Sequence, residues 1–393
     1  MTASNRAFCL AFSAVVFLMP TAPAGADGPA IESVAELGRA LFFDANLSKN
    51  RSQSCSTCHA PDAGFADPRD NGYDDPVSRA VSLGDDGTSI GDRNAPTASY
   101  ARFIPKFHLR EDGEYVGGLF WDGREADLEG QAGGPPLNPI EMGMASKGHV
   151  VARLMENPDY VAAFKAHFGD TVFDDPENAY RAMTQSIAAF ERTDAFAPFD
   201  SRYDRYLRGE VEFTKQEELG RTLFFSDQFS NCNQCHQLRE IPGAERETFS
   251  NYEYHNIGTP VHTAVRAANG SGDKFADLGL LANTAVSDAE HAGKFKVPTL
   301  RNVAVTGPYM HNGVFKELRT VVAFYNQYNT QADSAKINPE TGEPWGRTQF
   351  PKTLSVEELT VGPALEDERI DALVAFLKTL TDARYEHLLD DRQ

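Results

Sequence analysis

Beyond its first thirty residues the chain has four cysteines, and they form two motifs, Cys55-Ser-Thr-Cys58-His59 and Cys232-Asn-Gln-Cys235-His236. Two thiols separated by two residues and followed at once by an imidazole make the c-type haem attachment pattern. Thioether bonds pin the porphyrin edge, and the adjacent histidine is placed to coordinate the iron. A chain with two such motifs has to fold around two flat, largely apolar groups. The same pairs could instead form disulfides in an oxidising compartment or hold zinc. Two complete matches with no cysteine left over favour haem.

The fifth cysteine, Cys9, belongs to a segment that reads as an address: Arg6, the apolar run Ala7 to Met19, and small residues ending Ala24-Gly25-Ala26. This is the pattern of a secretory signal peptide spanning residues 1–26, which directs the mature chain to the periplasm. The alternative, an uncleaved anchor, is disfavoured by the shortness of the run and its interruption at Pro20. No later stretch reads as a bilayer span. The formal net charge of −20 argues against nucleic acid as a partner. It is compatible with a basic partner, or simply with solubility through net repulsion.

The sequence also repeats. Glu36-Leu-Gly-Arg-Ala-Leu-Phe-Phe43 precedes the first haem motif and Glu218-Leu-Gly-Arg-Thr-Leu-Phe-Phe225 the second, each with apolar residues at helical spacing. Each half closes on an amphipathic stripe: Tyr180, Met183, Ile187 and Phe190, then Ile370, Leu373, Val374, Leu377 and Leu380. Between them, Asp62 to Asn94, Gly130 to Gly143 and Ile337 to Pro351 are rich in Gly, Pro, Asn and Asp and read as long irregular loops. The expected fold is mainly α, with two cytochrome c-like haem domains related by internal duplication. The boundary falls between Pro198 and Gly209, giving 27–205 for the first domain and 206–393 for the second.

Function then turns on what lies opposite His59 and His236. A haem that only carries electrons has two protein ligands, whereas one that reacts with peroxide keeps a face open. Residues 60–107 contain no histidine, so the iron above His59 is expected to be open.

Several further segments carry a resemblance: Arg93-Asn94-Ala-Pro-Thr97, Phe120-Trp121-Asp122-Gly123-Arg124, Asn138-Pro-Ile-Glu141-Met-Gly143, Val297-Pro-Thr-Leu-Arg-Asn302 and Thr306-Gly-Pro-Tyr-Met-His-Asn-Gly313. With the two haem motifs, and in this order, they resemble the bacterial dihaem cytochrome c peroxidase superfamily along essentially the whole mature chain. Within it the chain is most similar to the MauG branch, whose members complete the tryptophan tryptophylquinone cofactor of methylamine dehydrogenase. The resemblance implies a dihaem oxidoreductase that uses hydrogen peroxide, or oxygen plus electrons, to oxidise tryptophans of a partner protein.

The same resemblance implies residue roles. Tyr325, in Val321-Val-Ala-Phe-Tyr-Asn-Gln-Tyr328, matches the second ligand of the His236 iron, where peroxidases carry methionine; the alternative ligand is Met310. A phenolate is hard and anionic and favours the higher iron oxidation states. Gln131, Pro135 and Glu141 match residues around the open face, and Glu141 can move the proton that peroxide cleavage requires. Trp121 matches a relay between the haems, and His311 a neighbour of the tyrosine-ligated haem. One calcium ion is implied, held by the Asn94 side chain and the carbonyls of Thr306 and Pro308. One departure stands out. MauG-type enzymes carry a tryptophan two residues before the second haem cysteine, and here that residue is Ser230, leaving Phe229 or Tyr254 as the nearby aromatics. The remaining alternatives are a cytochrome c peroxidase fed by a small redox protein and a non-enzymatic dihaem electron carrier.

Overall fold

In the computed structural model, which describes residues 31–238 and 243–389, the elements are short and joined by long turns. The expected signal peptide lies outside the described residues. The α-helices are α1 (Val34–Phe42), α2 (Cys55–Cys58), α3 (Leu128–Ala132), α4 (Lys147–Leu154), α5 (Pro158–Phe168) and α6 (Pro176–Glu191). They continue with α7 (Arg202–Leu207), α8 (Lys215–Phe224), α9 (Thr263–Ala268), α10 (Leu318–Asn326), α11 (Val356–Leu359) and α12 (Asp367–Lys378). Extended structure amounts to two antiparallel pairs, β1 (His108–Leu109) with β2 (Tyr115–Val116) and β3 (Tyr254–His255) with β4 (Phe295–Lys296).

Both halves are organised by one helix crossing. α1 packs on α6 and α8 on α12, and in each pair a glycine of the Glu-Leu-Gly-Arg segment makes the contact. A Cβ on Gly38 would lie 1.7 Å from the Ser186 carbonyl oxygen, and one on Gly220 1.9 Å from that of Ala372. Neither position has room for any other residue. Capping is shared as well: Ser33 with Glu36 and Thr214 with Glu217 form capping boxes at the starts of α1 and α8, each cap contributing about 1 kcal/mol. Around the first crossing Leu37, Leu41, Phe42, Met183 and Ile187 are fully buried together; around the second, Phe224, Leu373, Phe376 and Leu380. Leu380 lies past the end of α12 yet stays in that core.

The expected loops are only partly irregular. Residues 62–94 hold turns and isolated bridges. The stretch from Gly130 to Gly143 differs from expectation: it contains the end of α3 and a 3-10 turn over Pro135–Leu137. Asp127 caps α3 through the Gly130 amide, so a short helix forms despite three glycines between 130 and 134. No helix among the described residues is long and apolar enough to cross a membrane.

Candidate active site

In the first motif α2 is a single turn, and His59 follows as its C-cap. His59 Nδ1 lies 3.2 Å from the Phe65 carbonyl, and His236 Nδ1 lies 3.2 Å from the Phe249 carbonyl. Donation from Nδ1 to a carbonyl fixes the tautomer and leaves Nε2 with the lone pair a metal needs. Burial lowers the pKa of both imidazoles, His236 to about 4, so both are neutral, the ligating form. The four motif cysteines are free thiols. Burial pushes Cys55 and Cys58 up to about 12 and Cys232 up to about 11, so all three are neutral thiols. Among the described residues no group of three or more His, Cys, Asp or Glu side chains is placed to hold a metal ion.

The surroundings repeat between the halves. Thr97 Oγ1 donates to the Gly64 carbonyl at 2.5 Å and Thr299 Oγ1 to that of Thr248 at 2.6 Å. Each accepting residue directly precedes a left-handed phenylalanine, Phe65 (φ 53°) or Phe249 (φ 55°). Further along, Leu119 bridges to Glu125 and Tyr309 to Phe315. Each bridge encloses a second left-handed residue, Phe120 (φ 62°) or Met310 (φ 69°). Counted from Leu119 and from Tyr309, Pro135 and Tyr325 occupy the same place.

Cys58 and His59 border a large cavity also lined by Gln131, Pro135, Glu141 and Trp121, and by Asn94, Thr306 and Pro308. The expected residues of the open face and the expected calcium set are thus brought together. Glu141 is half-buried, and its Oε1 accepts from Asn138 Nδ2 at 2.6 Å. Burial raises its pKa, with the Asn138 hydrogen bond and Arg124 opposing. Trp121 donates from Nε1 to the Asn94 carbonyl at 2.9 Å, and its own carbonyl accepts from the Lys296 amide at 2.9 Å. The cavity's walls therefore come from both halves. Asn94 donates from Nδ2 to the Ala80 carbonyl at 3.0 Å, so its Oδ1 is the atom left to act as a ligand.

Tyr325, on α10, is half-buried within electrostatic range of Cys235 and Cys232, and burial raises its pKa. Met310 instead borders the cavity of Cys58 and His59. His311 stacks on Phe295 with ring centroids 3.6 Å apart and, with Asp277, lines a small separate cavity. Ser230 Oγ donates to the Leu223 carbonyl at 2.5 Å. Of the neighbouring aromatics Phe229 is 38 % exposed, whereas Tyr254 is buried. One cavity residue escaped the reading of the sequence. Glu191 stands on the same face of α6 as Ile187 and Tyr180, four and eleven residues on, and continues the apolar stripe with a carboxyl group.

Residues 32–212 match the family model of di-haem cytochrome c peroxidases. The chain is 52% identical to the methylamine utilization protein MauG of Paracoccus denitrificans, over 98% of each protein. It is 31% identical to the cytochrome c peroxidase Ccp of Escherichia coli, over 91% of this chain and 60% of that protein. Among solved structures, the diheme peroxidase BthA of Burkholderia thailandensis superposes with a TM-score of 0.75 at 34% identity, covering 90% of this chain and 86% of that one. A MauG-like protein associated with microbial copper homeostasis gives 0.64 at 31% identity, covering 95% and 99%. The alignment to the Paracoccus protein runs through both motifs and the family model covers the first; the chain belongs to the di-haem cytochrome c peroxidase family and is a MauG-like dihaem oxidoreductase of peroxidase type.

Proposed function

We propose that this enzyme uses hydrogen peroxide at the His59 site to oxidise tryptophans of a partner protein, the precursor of methylamine dehydrogenase. The observation that carries the proposal is the cavity. Glu141, Gln131 and Pro135, distant in sequence from the first motif, line the same space as Cys58 and His59.

The residues fit two haem c groups. Cys55 and Cys58 hold the first and Cys232 and Cys235 the second, with His59 and His236 as iron ligands oriented by the Phe65 and Phe249 carbonyls. When bound, the first haem supplies an iron at which peroxide can be cleaved. Glu141 is half-buried and carries a pKa raised by burial, so its carboxyl can receive a proton from one peroxide oxygen and return it to the other. Gln131 and Pro135 shape the face, and Pro135 offers no ligating atom. Tyr325 closes the second site. Burial holds its phenol neutral, and it would hold the second haem iron by exchanging its proton for the metal. Trp121, anchored by both halves, is the relay between the sites, and His311, stacked on Phe295, is the neighbour of the second haem that the family resemblance implies. Asn94, Thr306 and Pro308 supply the oxygen ligands of one calcium ion beside Trp121. The halves 27–205 and 206–393 descend from one duplicated haem unit, and the mature protein works in the periplasm.

Ser230 favours a second reading. Without an oxidisable side chain there, the enzyme could take electrons from a small redox protein and detoxify peroxide. The two are separated by presenting peroxide with each substrate in turn. Quinone absorbance growing on the methylamine dehydrogenase precursor supports the first. Oxidation of a reduced small cytochrome, with no change in the precursor, overturns it. Electron paramagnetic resonance of the ferric enzyme should show one high-spin and one low-spin haem; two low-spin signals would leave only an electron carrier.

A further inference from the structure

Glu191, the last residue of α6, is 5 % exposed and borders the cavity of Cys58 and His59. Its Oε2 accepts no hydrogen bond from any described residue. An unpartnered carboxylate in such a place is strongly disfavoured, and a carboxylic acid avoids that cost by keeping its proton. The charged groups around it do not compensate. Arg192, next on the chain, turns outward into a bidentate pair with Glu129 of α3 at 2.7 and 2.8 Å, so its charge is largely spent. Asp127, beyond Glu129, is paired with Lys106. Glu141, Arg124 and Lys296 line the same cavity. Cys55, which lies within electrostatic range, is a neutral thioether once haem is attached. Burial raises the Glu191 pKa to about 8, with Arg192 opposing and Glu129 reinforcing. A porphyrin in the cavity adds apolar surface and works in the same direction.

We propose that Glu191 is a proton-holding residue of the first site, protonated in the resting enzyme and exchanging that proton when the charge on the site changes. The inference rests on the reading of this cavity as the peroxide-reacting site, whose net chemistry needs two protons for each peroxide reduced to water. Glu141 only transfers a proton between the two oxygens, so protons must be held elsewhere in the cavity. The elementary event is balanced: above about pH 8, where the resting enzyme has lost the Glu191 proton, one electron from a one-electron donor enters the site while one proton from solvent forms an O–H bond on the Glu191 carboxylate. Oxidation reverses both.

Two measurements on the haem-loaded enzyme test this. Redox-difference infrared spectroscopy should show a protonated-carboxyl band that shifts in D₂O, is lost in Glu191→Gln and persists at a shifted frequency in Glu191→Asp. Mediated redox titration from pH 7 to 9 should give a first-site potential that falls by up to about 59 mV per pH unit, the equivalent of a tenfold change. That slope should shrink in Glu191→Gln at unchanged haem content. A band and slope that both survive in Glu191→Gln overturn the proposal, even if the high-spin haem still reacts with peroxide. Loss of the high-spin haem in the wild type overturns the peroxide-site reading instead, and the infrared band still decides the Glu191 proton.

Discussion

The two halves solve one structural problem in the same way and then diverge at one position. Each places a histidine after a pair of cysteines, orients it through the carbonyl of a left-handed phenylalanine, and packs the motif on a helix crossing made possible by a glycine. Beyond the bridge that follows, the first half carries Pro135 at the start of the 3-10 turn after a five-residue helix and the second carries Tyr325 inside the nine-residue α10. Proline has no ligating side chain and, with the preceding glycines, ends the helix; in the second half the helix runs on and delivers a phenol toward Cys232 and Cys235. The attachment geometry is common to both halves, and on the proposed function the difference in reactivity follows from Pro135 in one and Tyr325 in the other.

Exchanging the two positions is the harshest test of this comparison and should have the largest effect. Pro135→Tyr or Pro135→His would put a ligand where the first half has none. Its haem should turn from high-spin to low-spin, and the reaction with peroxide should be lost. Tyr325→Met should leave a low-spin second site that no longer supports the higher oxidation state, seen as a raised potential in spectroelectrochemistry and as failure to oxidise the partner. If Pro135→His stays high-spin and reactive, the correspondence between Pro135 and Tyr325 is wrong.

The next effect is smaller. Glu141→Gln keeps the size and the Asn138 contact but cannot carry a proton, so peroxide should react on the order of 10² to 10⁴ times more slowly with both haems retained. Stopped-flow spectroscopy would measure it. An unchanged rate would mean that the cavity's acid is not Glu141 and would leave Glu191 as the remaining carboxyl lining the cavity.

Much of this was legible in the sequence, for a physical reason: it rests on residues that cannot be exchanged. Haem attachment needs cysteines and a histidine, and the helix crossing needs Gly38 and Gly220, so both halves keep the same letters. The second correspondence, Leu119 to Glu125 against Tyr309 to Phe315, rests on backbone conformation. Phe120 and Met310 are both left-handed although neither type favours it, and Trp121 stands where His311 does, so no letter pattern betrays the match. Glu191 was hidden for a related reason. At the end of a helix a glutamate reads as solvent-facing, and only the contact of α3 with α6 shows it to be enclosed. Met310, the alternative ligand of the second haem, sits on a left-handed turn and borders the first cavity instead.

The smallest of these effects is also the cleanest test of whether the halves are independent. Glycine inside a helix costs roughly 1 kcal/mol relative to alanine, so Gly→Ala at an open helical site stabilises. At Gly38 and Gly220 the new methyl would strike a backbone carbonyl at 1.7 and 1.9 Å, and backbone cannot swing aside as a side chain can. The crossing must separate instead, at a cost of about 1–3 kcal/mol for overpacking, which exceeds the propensity gain. Gly38→Ala and Gly220→Ala should therefore each lower the denaturation midpoint by a similar amount. What should differ is the haem that notices. Separating α1 from α6 loosens the core beneath Cys55 and His59 and should broaden the high-spin signal, leaving the low-spin signal sharp. Gly220→Ala, which separates α8 from α12, should do the reverse. If either variant disturbs both signals equally, the cavity walls shared through Trp121 and Lys296 couple the halves more tightly than their separate cores imply.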